Sequence, residues 1–283
     1  MSQSLTLGFS CPDQSGIVHA VSSFIVTVGG NITESQQYED RETQLFFMRV
    51  EFDVADDVNL DHVQGAFAAV AQRFVMKWKL VETTRKERVM IMVSQYEHCL
   101  NDLLFRHRSG ALDIEIPLIV SNHKDLQEMA DWYGIPFVYV PITAETKAAT
   151  EAQMRTLIAD NAIDCIVLAR YMQILSDEFC QEFAGSIINI HHSFLPSFKG
   201  AKPYHQAHVR GVKLIGATAH YVTSELDEGP IIEQEIARVD HSNTPDELAA
   251  VGRDVEAQVL ARAVRWHAEH RVYQSGNRTI VFR

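Results

Sequence analysis

Positive charge is scarce in this chain: 25 lysines and arginines stand against 37 aspartates and glutamates in 283 residues, a formal net charge of −12. A broad phosphate-binding surface is therefore not expected, because affinity for nucleic acid rests on clustered Lys and Arg. A small-molecule partner is the expectation, with no nucleic acid. Cysteine is also rare. Cys11, Cys99, Cys165 and Cys180 lie far apart and form no CxxC pair, which argues against a disulfide framework or a thiolate zinc knot and for buried reduced thiols. No stretch approaches about 18 uninterrupted apolar residues, and the first eight residues show no basic segment leading into an apolar run. A soluble cytoplasmic protein with no membrane partner is expected. Internal repeats and low-complexity segments are absent too.

What is present is enough apolar content, 46%, to fill two compact domains. Up to about residue 84 the pattern reads strand, helix, strand, strand, helix, strand. Strands are expected over residues 5–9, 32–38, 44–54 and 76–81, and helices over 16–28 and 60–74, where apolar residues recur with helical period. This is the split βαβ order of a ferredoxin-like βαββαβ domain. The wholly polar run Glu82-Thr83-Thr84-Arg85-Lys86-Glu87-Arg88 suits a linker, set at 85–88. Beyond it, over 89–283, short apolar strands (89–93, 116–121, 137–141, 164–169, 187–190) alternate with helical candidates (99–108, 124–133, 146–161). Parallel neighbours need crossover connections, so this alternation implies an α/β, Rossmann-like, doubly wound and mostly parallel sheet. Ligands of such sheets sit at the carboxyl ends of strands, which here means residues 170–172 and 189–193. Thr244-Pro245-Asp246-Glu247 combines a capping box with proline at the first helical position, and a long helix is expected after it.

Asn189 and His191 are separated by one residue, so on an extended strand end their side chains project to one side. Asn offers a neutral donor to a developing oxyanion, and His can shuttle a proton to a leaving nitrogen. Acyl transfer uses that combination. In the run from Ser193 to Pro196, proline ends any regular strand by about Leu195. Downstream, Ser224-Glu225-Leu226-Asp227-Glu228-Gly229-Pro230 reads as a turn between strands, from which Asp227 can face His191 and orient its ring. His192, His205, His208 and His220 read as structural or surface groups. Neither His191-His192 nor His205-x-x-His208 forms an HExxH helix or supplies a convincing third ligand, so no metal is expected.

Residues 168–176 (Leu-Ala-Arg-Tyr-Met-Gln-Ile-Leu-Ser), the block from Asn189 to Pro196, Ser197-Phe198-Lys199-Gly200, and Leu226-Asp227-Glu228-Gly229-Pro230 occur in that order. Together they resemble the formyltransferase family that uses 10-formyltetrahydrofolate. The resemblance implies a catalytic trio of Asn189, His191 and Asp227. It also implies a folate-binding wall of Arg170, Tyr171, Met172, Ile174, Leu175, Val222, Thr223, Ser224 and Leu226, with folate as substrate and no cofactor. Near the start, Cys11-Pro12-Asp13-Gln14-Ser15-Gly16 followed by Gly29-Gly30-Asn31 resembles the ACT family of small regulatory domains. That second resemblance implies an amino-acid effector, glycine or methionine, near Asp13 and Asn31, and a homo-oligomer. The same residues also suit a plain local role, with Asp13 and Ser15 capping a helix and Asn31 closing a turn.

Members of the formyltransferase family differ in what accepts the formyl group. Where the acceptor is a ribonucleotide, a Gly-rich turn after the first strand holds its phosphate. The matching stretch here, Ser94-Gln95-Tyr96-Glu97-His98-Cys99, has no glycine and carries an acid. Together with the ACT-like first domain, this implies the branch that passes the formyl group to water, giving formate and tetrahydrofolate. Transfer to an amine such as glycinamide ribonucleotide is the alternative, and a folate-binding sensor with an idle second domain is a third reading.

Overall fold

A computed structural model describes residues 2–143, 145–193 and 203–283. The chain divides into two compact units, one of Met1–Arg85 with Glu269–Ser275 and Ile280–Arg283, the other of Lys86–Ala268 with Gly276–Thr279.

The first unit is built from β1 (Ser2–Pro12), α1 (Ile17–Thr27), β2 (Asn31–Asp40), β3 (Leu45–Ala55), α2 (Leu60–Phe74) and β4 (Lys77–Glu82). Its sheet has the order β2-β3-β1-β4 and is antiparallel throughout, the ferredoxin-like arrangement. Alternation sorts its side chains. Met48, Val50 and Phe52 of β3 share a core with Leu5, Leu7 and Phe9 of β1, Val21 of α1 and Phe67 of α2. The intervening Phe47 and Arg49 turn to the other face, where Tyr273 packs edge-on against Phe47 at 6.4 Å and the Glu269 carbonyl accepts from Arg49. At Gly8 a Cβ would lie 2.1 Å from the Tyr273 hydroxyl, so glycine there makes room for the returning chain.

This return corrects the expected boundaries for residues 269–275 and 280–283, which place them with the rest of 89–283 in the second domain. Its strands, β12 (Val272–Ser275) and β13 (Arg278–Val281), are too short and mixed in polarity to declare an allegiance. Arg271 settles it by pairing with Glu34 at 3.0 Å. The proposed caps of α1 are corrected as well: its N-cap is Gly16, with no side-chain cap hydrogen bond, while Asn31 opens β2 rather than closing a turn. Nor is 85–88 wholly linker, since the next strand begins at Glu87.

The second unit runs β5 (Glu87–Val93), α3 (His98–Arg108), β6 (Ile114–Ser121), α4 (Gln127–Tyr133), β7 (Phe137–Tyr139), α5 (Lys147–Asp160), β8 (Cys165–Leu168), α6 (Asp177–Glu182), β9 (Ile187–His191), α7 (Pro203–Arg210), β10 (Leu214–Tyr221), β11 (Ile231–Arg238) and α8 (Pro245–Ala268). Sheet order is β11-β10-β9-β8-β5-β6-β7. Strands from β9 to β7 pair in parallel, whereas β10 is antiparallel to both β9 and β11. Met90 and Met92 of β5 pack with Met154 and Ile158 of α5 and Phe179 of α6. Their neighbour Ile91 is equally buried, so both faces of the sheet are covered. Helix α8 starts on the expected capping box: the Thr244 amide donates to Glu247 Oε2 at 2.7 Å, and the Glu247 amide to Thr244 Oγ1 at 3.3 Å. It packs along β9, β10 and β11 and against α3 and α7. Strand order reverses between β5 and β8, the kind of point at which a crevice opens beyond the carboxyl ends of the strands.

Candidate active site

Register places the chemistry. Strand β9 ends at His191, and its Asn189 lies directly opposite His220 of β10. The Asn189 Nδ2 donates to His220 Nε2 at 3.2 Å, while His220 Nδ1 donates to the Tyr221 carbonyl at 2.9 Å. One neutral tautomer of His220 satisfies both bonds and fixes the Asn189 amide. His220 is 2% exposed, and a bulge in the β10–β11 pairing falls between Ala219 and His220. The expectation of a structural or surface role for His220 missed its position in the site. Only the pairing register, which a lone sequence does not display, reveals it.

Asp227 comes from the loop between β10 and β11, with φ of 58°. Its Oδ2 is 3.2 Å from His191 Nδ1 and its Oδ1 is 3.7 Å from His220 Nε2; only the first is close enough for a strong hydrogen bond. Burial pushes the Asp227 carboxyl up, but hydrogen bonding and charge from His191, with His220 behind it, outweigh burial and hold it well below the usual carboxylate range. The loop is pressed onto the strand at Gly229, where any Cβ would sit 1.7 Å from the Tyr221 carbonyl oxygen. Glycine at that position lets Asp227 reach the histidines.

The opposite wall is the segment after β8. Arg170 has φ of 63°, and the Met172 amide donates to Ser94 Oγ at 3.0 Å. Buried Glu151 of α5 accepts from the Ser176 amide at 2.7 Å and from its hydroxyl, which pins the far end of the segment. Tyr171 and Leu175 sink into the core, whereas Met172 and Ile174 are 54% and 65% exposed. A single cleft is lined by all nine residues expected to form the folate wall, together with Asn189, His191 and Asp227. His192 and His220 line it as well, so His192, like His220, stands at the site rather than apart from it. The stretch from Phe194 to Lys202, with the Ser197-Phe198-Lys199-Gly200 motif, lies outside the described residues. Asp13 and Asn31 belong to the first unit, at the ends of β1 and β2, and both are exposed.

Among the described residues, His98, Cys99 and Glu256 are the one group with three potential metal-ligand atoms close together, all within 4.8 Å. His98 and Glu256 are already engaged with each other. The Glu256 carboxylate takes His98 Nε2 at 2.8 Å and the Tyr204 hydroxyl at 2.7 Å, with Arg170 Nε at 3.5 Å. Burial, reinforced by the Glu256 charge, raises the Cys99 thiol well above its ordinary range and so keeps it protonated.

An amide donor and a histidine–carboxylate couple thus share one cleft at the carboxyl ends of the parallel strands. Residues 87–264 match the formyl transferase family. A formyltetrahydrofolate deformylase from Corynebacterium sp. is 53% identical over 98% of this chain and 97% of its own length. The chain belongs to the formyltetrahydrofolate deformylases. The crystal structure of such a deformylase from Burkholderia mallei, 49% identical, superposes with a TM-score of 0.96 over 99% of this chain and all of its own. Glycinamide ribonucleotide transformylase 1 from Symbiobacterium toebii is a more distant likeness, 28% identical with a TM-score of 0.66, covering 70% of this chain and 95% of its own. No helix among the described residues is long and apolar enough to cross a membrane.

Proposed function

We propose that this chain hydrolyses 10-formyltetrahydrofolate to formate and tetrahydrofolate. The convergence of Asn189, His191 and Asp227 on one cleft carries the reading, and the full-length likeness to named deformylases supports water as acceptor. Water attacks the formyl carbon, and the carbonyl electron pair moves onto oxygen. Asn189 Nδ2, oriented by His220, and His191 hold that oxyanion. The His191–Asp227 couple takes a proton from the water and returns it to N10 as the C–N bond breaks. Neither metal nor redox cofactor has a part in these steps. Met172 and Ile174, apolar and exposed at the cleft, suit the flat face of the pterin, with the loop from Val222 to Leu226 opposite.

The first unit is read as an ACT-like regulatory module that binds a small amino acid, glycine or methionine, near Asp13 and Asn31 and joins copies of the chain into a homo-oligomer. The ferredoxin-like topology supports this, and so does the place of formate and folate chemistry in one-carbon metabolism and purine biosynthesis within the cytoplasm. The deciding experiment is incubation with 10-formyltetrahydrofolate alone. Formate release without any amine is expected, at a rate that glycine or methionine alters; release only when an amine is added would overturn the hydrolytic reading.

A further inference from the structure

His192 has no part in the steps carried by Asn189, His191 and Asp227, yet it lines the cleft with its ring centroid 4.8 Å from that of His191. Charged groups from four elements face it: Arg170 after β8, His191 at the end of β9, Asp227 from the β10–β11 loop, and Glu256 of α8. The carboxylates that act on it, Asp227 and Glu256, belong to the two histidine–carboxylate couples, His191–Asp227 and His98–Glu256. Arg170 is held in place, its guanidinium 4.9 Å above the Tyr96 ring and its Nε 3.5 Å from Glu256 Oε2. That buried Nε has no hydrogen-bond partner among the described residues. Burial, then the charges of Arg170 and His191, outweigh the pull of Glu256 and Asp227 and bring the His192 imidazole down to about 4. At neutral pH one ring nitrogen donates and the other is left to accept.

An attacking water aims a lone pair at carbon when both of its O–H bonds are spent on acceptors. Asp227 offers one acceptor, weak as a base but available at neutral pH. We propose that His192 is the second, and that the water attacking the formyl carbon is held between His192 and Asp227. The inference rests on the hydrolytic reading and deepens it. A bond forms from the water oxygen to the formyl carbon, the carbonyl pair moves to the oxygen held by Asn189 and His191, and the His191–Asp227 couple carries the departing proton to N10 as the C–N bond breaks. His192 touches the nucleophile. Burial keeps His192 unprotonated, and the charge of Arg170, which Glu256 balances, adds to it.

The test compares wild type, His192→Ala and His192→Asn in formate release from 10-formyltetrahydrofolate without added amine. In His192→Ala, kcat is expected to fall by about 10²-fold or more, the scale of a lost proton-handling group, with KM within about threefold and partial rescue by added imidazole. His192→Asn keeps an acceptor that does not titrate. It is expected to retain more activity than His192→Ala and to lose the His192-dependent part of the fall in kcat expected of wild type toward pH 4. A kcat in His192→Ala within about threefold of wild type, or the same acid limb persisting in His192→Asn, would overturn the assignment. The asparagine profile decides even where the alanine variant does not fold. Failure of the parent reading looks different, because wild type itself would then release no formate without an amine.

Discussion

The catalytic unit contains two histidine–carboxylate couples of similar geometry and opposite character. His191 and Asp227 meet at 3.2 Å, and His98 and Glu256 at 2.8 Å. The Asp227 side chain is 27% exposed and that of Glu256 is 1% exposed. Glu256 is enclosed: His98 and Tyr204 hydrogen-bond to it, Arg170 lies beside it, and Gly252 on the same helix leaves the space that the Tyr204 ring fills. Burial pushes its carboxyl up, and these partners outweigh burial and hold it ionised. Asp227 has one close partner and an oxygen to spare at the cleft. A carboxylate enclosed by protein partners holds a structure, whereas one with a free lone pair and a path to solvent can handle a substrate proton.

Exchanging the chemistry at each couple breaks or sharpens this contrast. The largest expected effect is in Asp227→Asn, which keeps size but loses the charge beside His191. Turnover should fall by about 10²- to 10⁴-fold with KM little changed, as read by formate release, and the melting temperature should stay near that of wild type. Glu256→Gln should reverse the pattern. Removing one member of a buried pair strands Arg170, a cost of about 3–5 kcal/mol, so a large drop in thermal midpoint is expected, and a variant as stable as wild type would contradict the structural role. The smallest effect concerns acid. His192 is neutral when folded and titrates at about 4, against 6.5 when unfolded. Across that window the unfolded chain binds the extra proton, so stability declines as pH falls from 6.5 toward 4. In His192→Asn the decline should be shallower when denaturant midpoints are compared across the same pH range.

The same contrast explains what a reading of the sequence alone reaches. Asn189 and His191 are visible because period-2 alternation and a following Pro196 mark a strand end with two polar side chains on one side. Asp227 is visible because a turn between two strands brings it back. His220 looks ordinary in its strand, since its significance comes from lying opposite Asn189, and pairing register is a long-range property. Glu256 sits in the middle of a long helix with a regular stripe, where its burial beside Arg170 and His98 depends on elements distant in sequence. The strands and helices of the first unit follow from local periodicity, but β12 and β13 do not. Four-residue strands of mixed polarity acquire their place only from what they cover, here Phe47 and Arg49.

That covering has a consequence for biosynthesis. A ribosome delivers β1 to β4 of the first unit before the second unit, with β3 already displaying Phe47 and Arg49, yet Tyr273 and Arg271 emerge only after β5 to α8 have been made. Residues 1–85 made alone would leave an aromatic ring bare and Glu34 without its Arg271 partner. The first unit thus becomes complete only after the second has been made, and a fragment cut at the apparent linker is an incomplete domain.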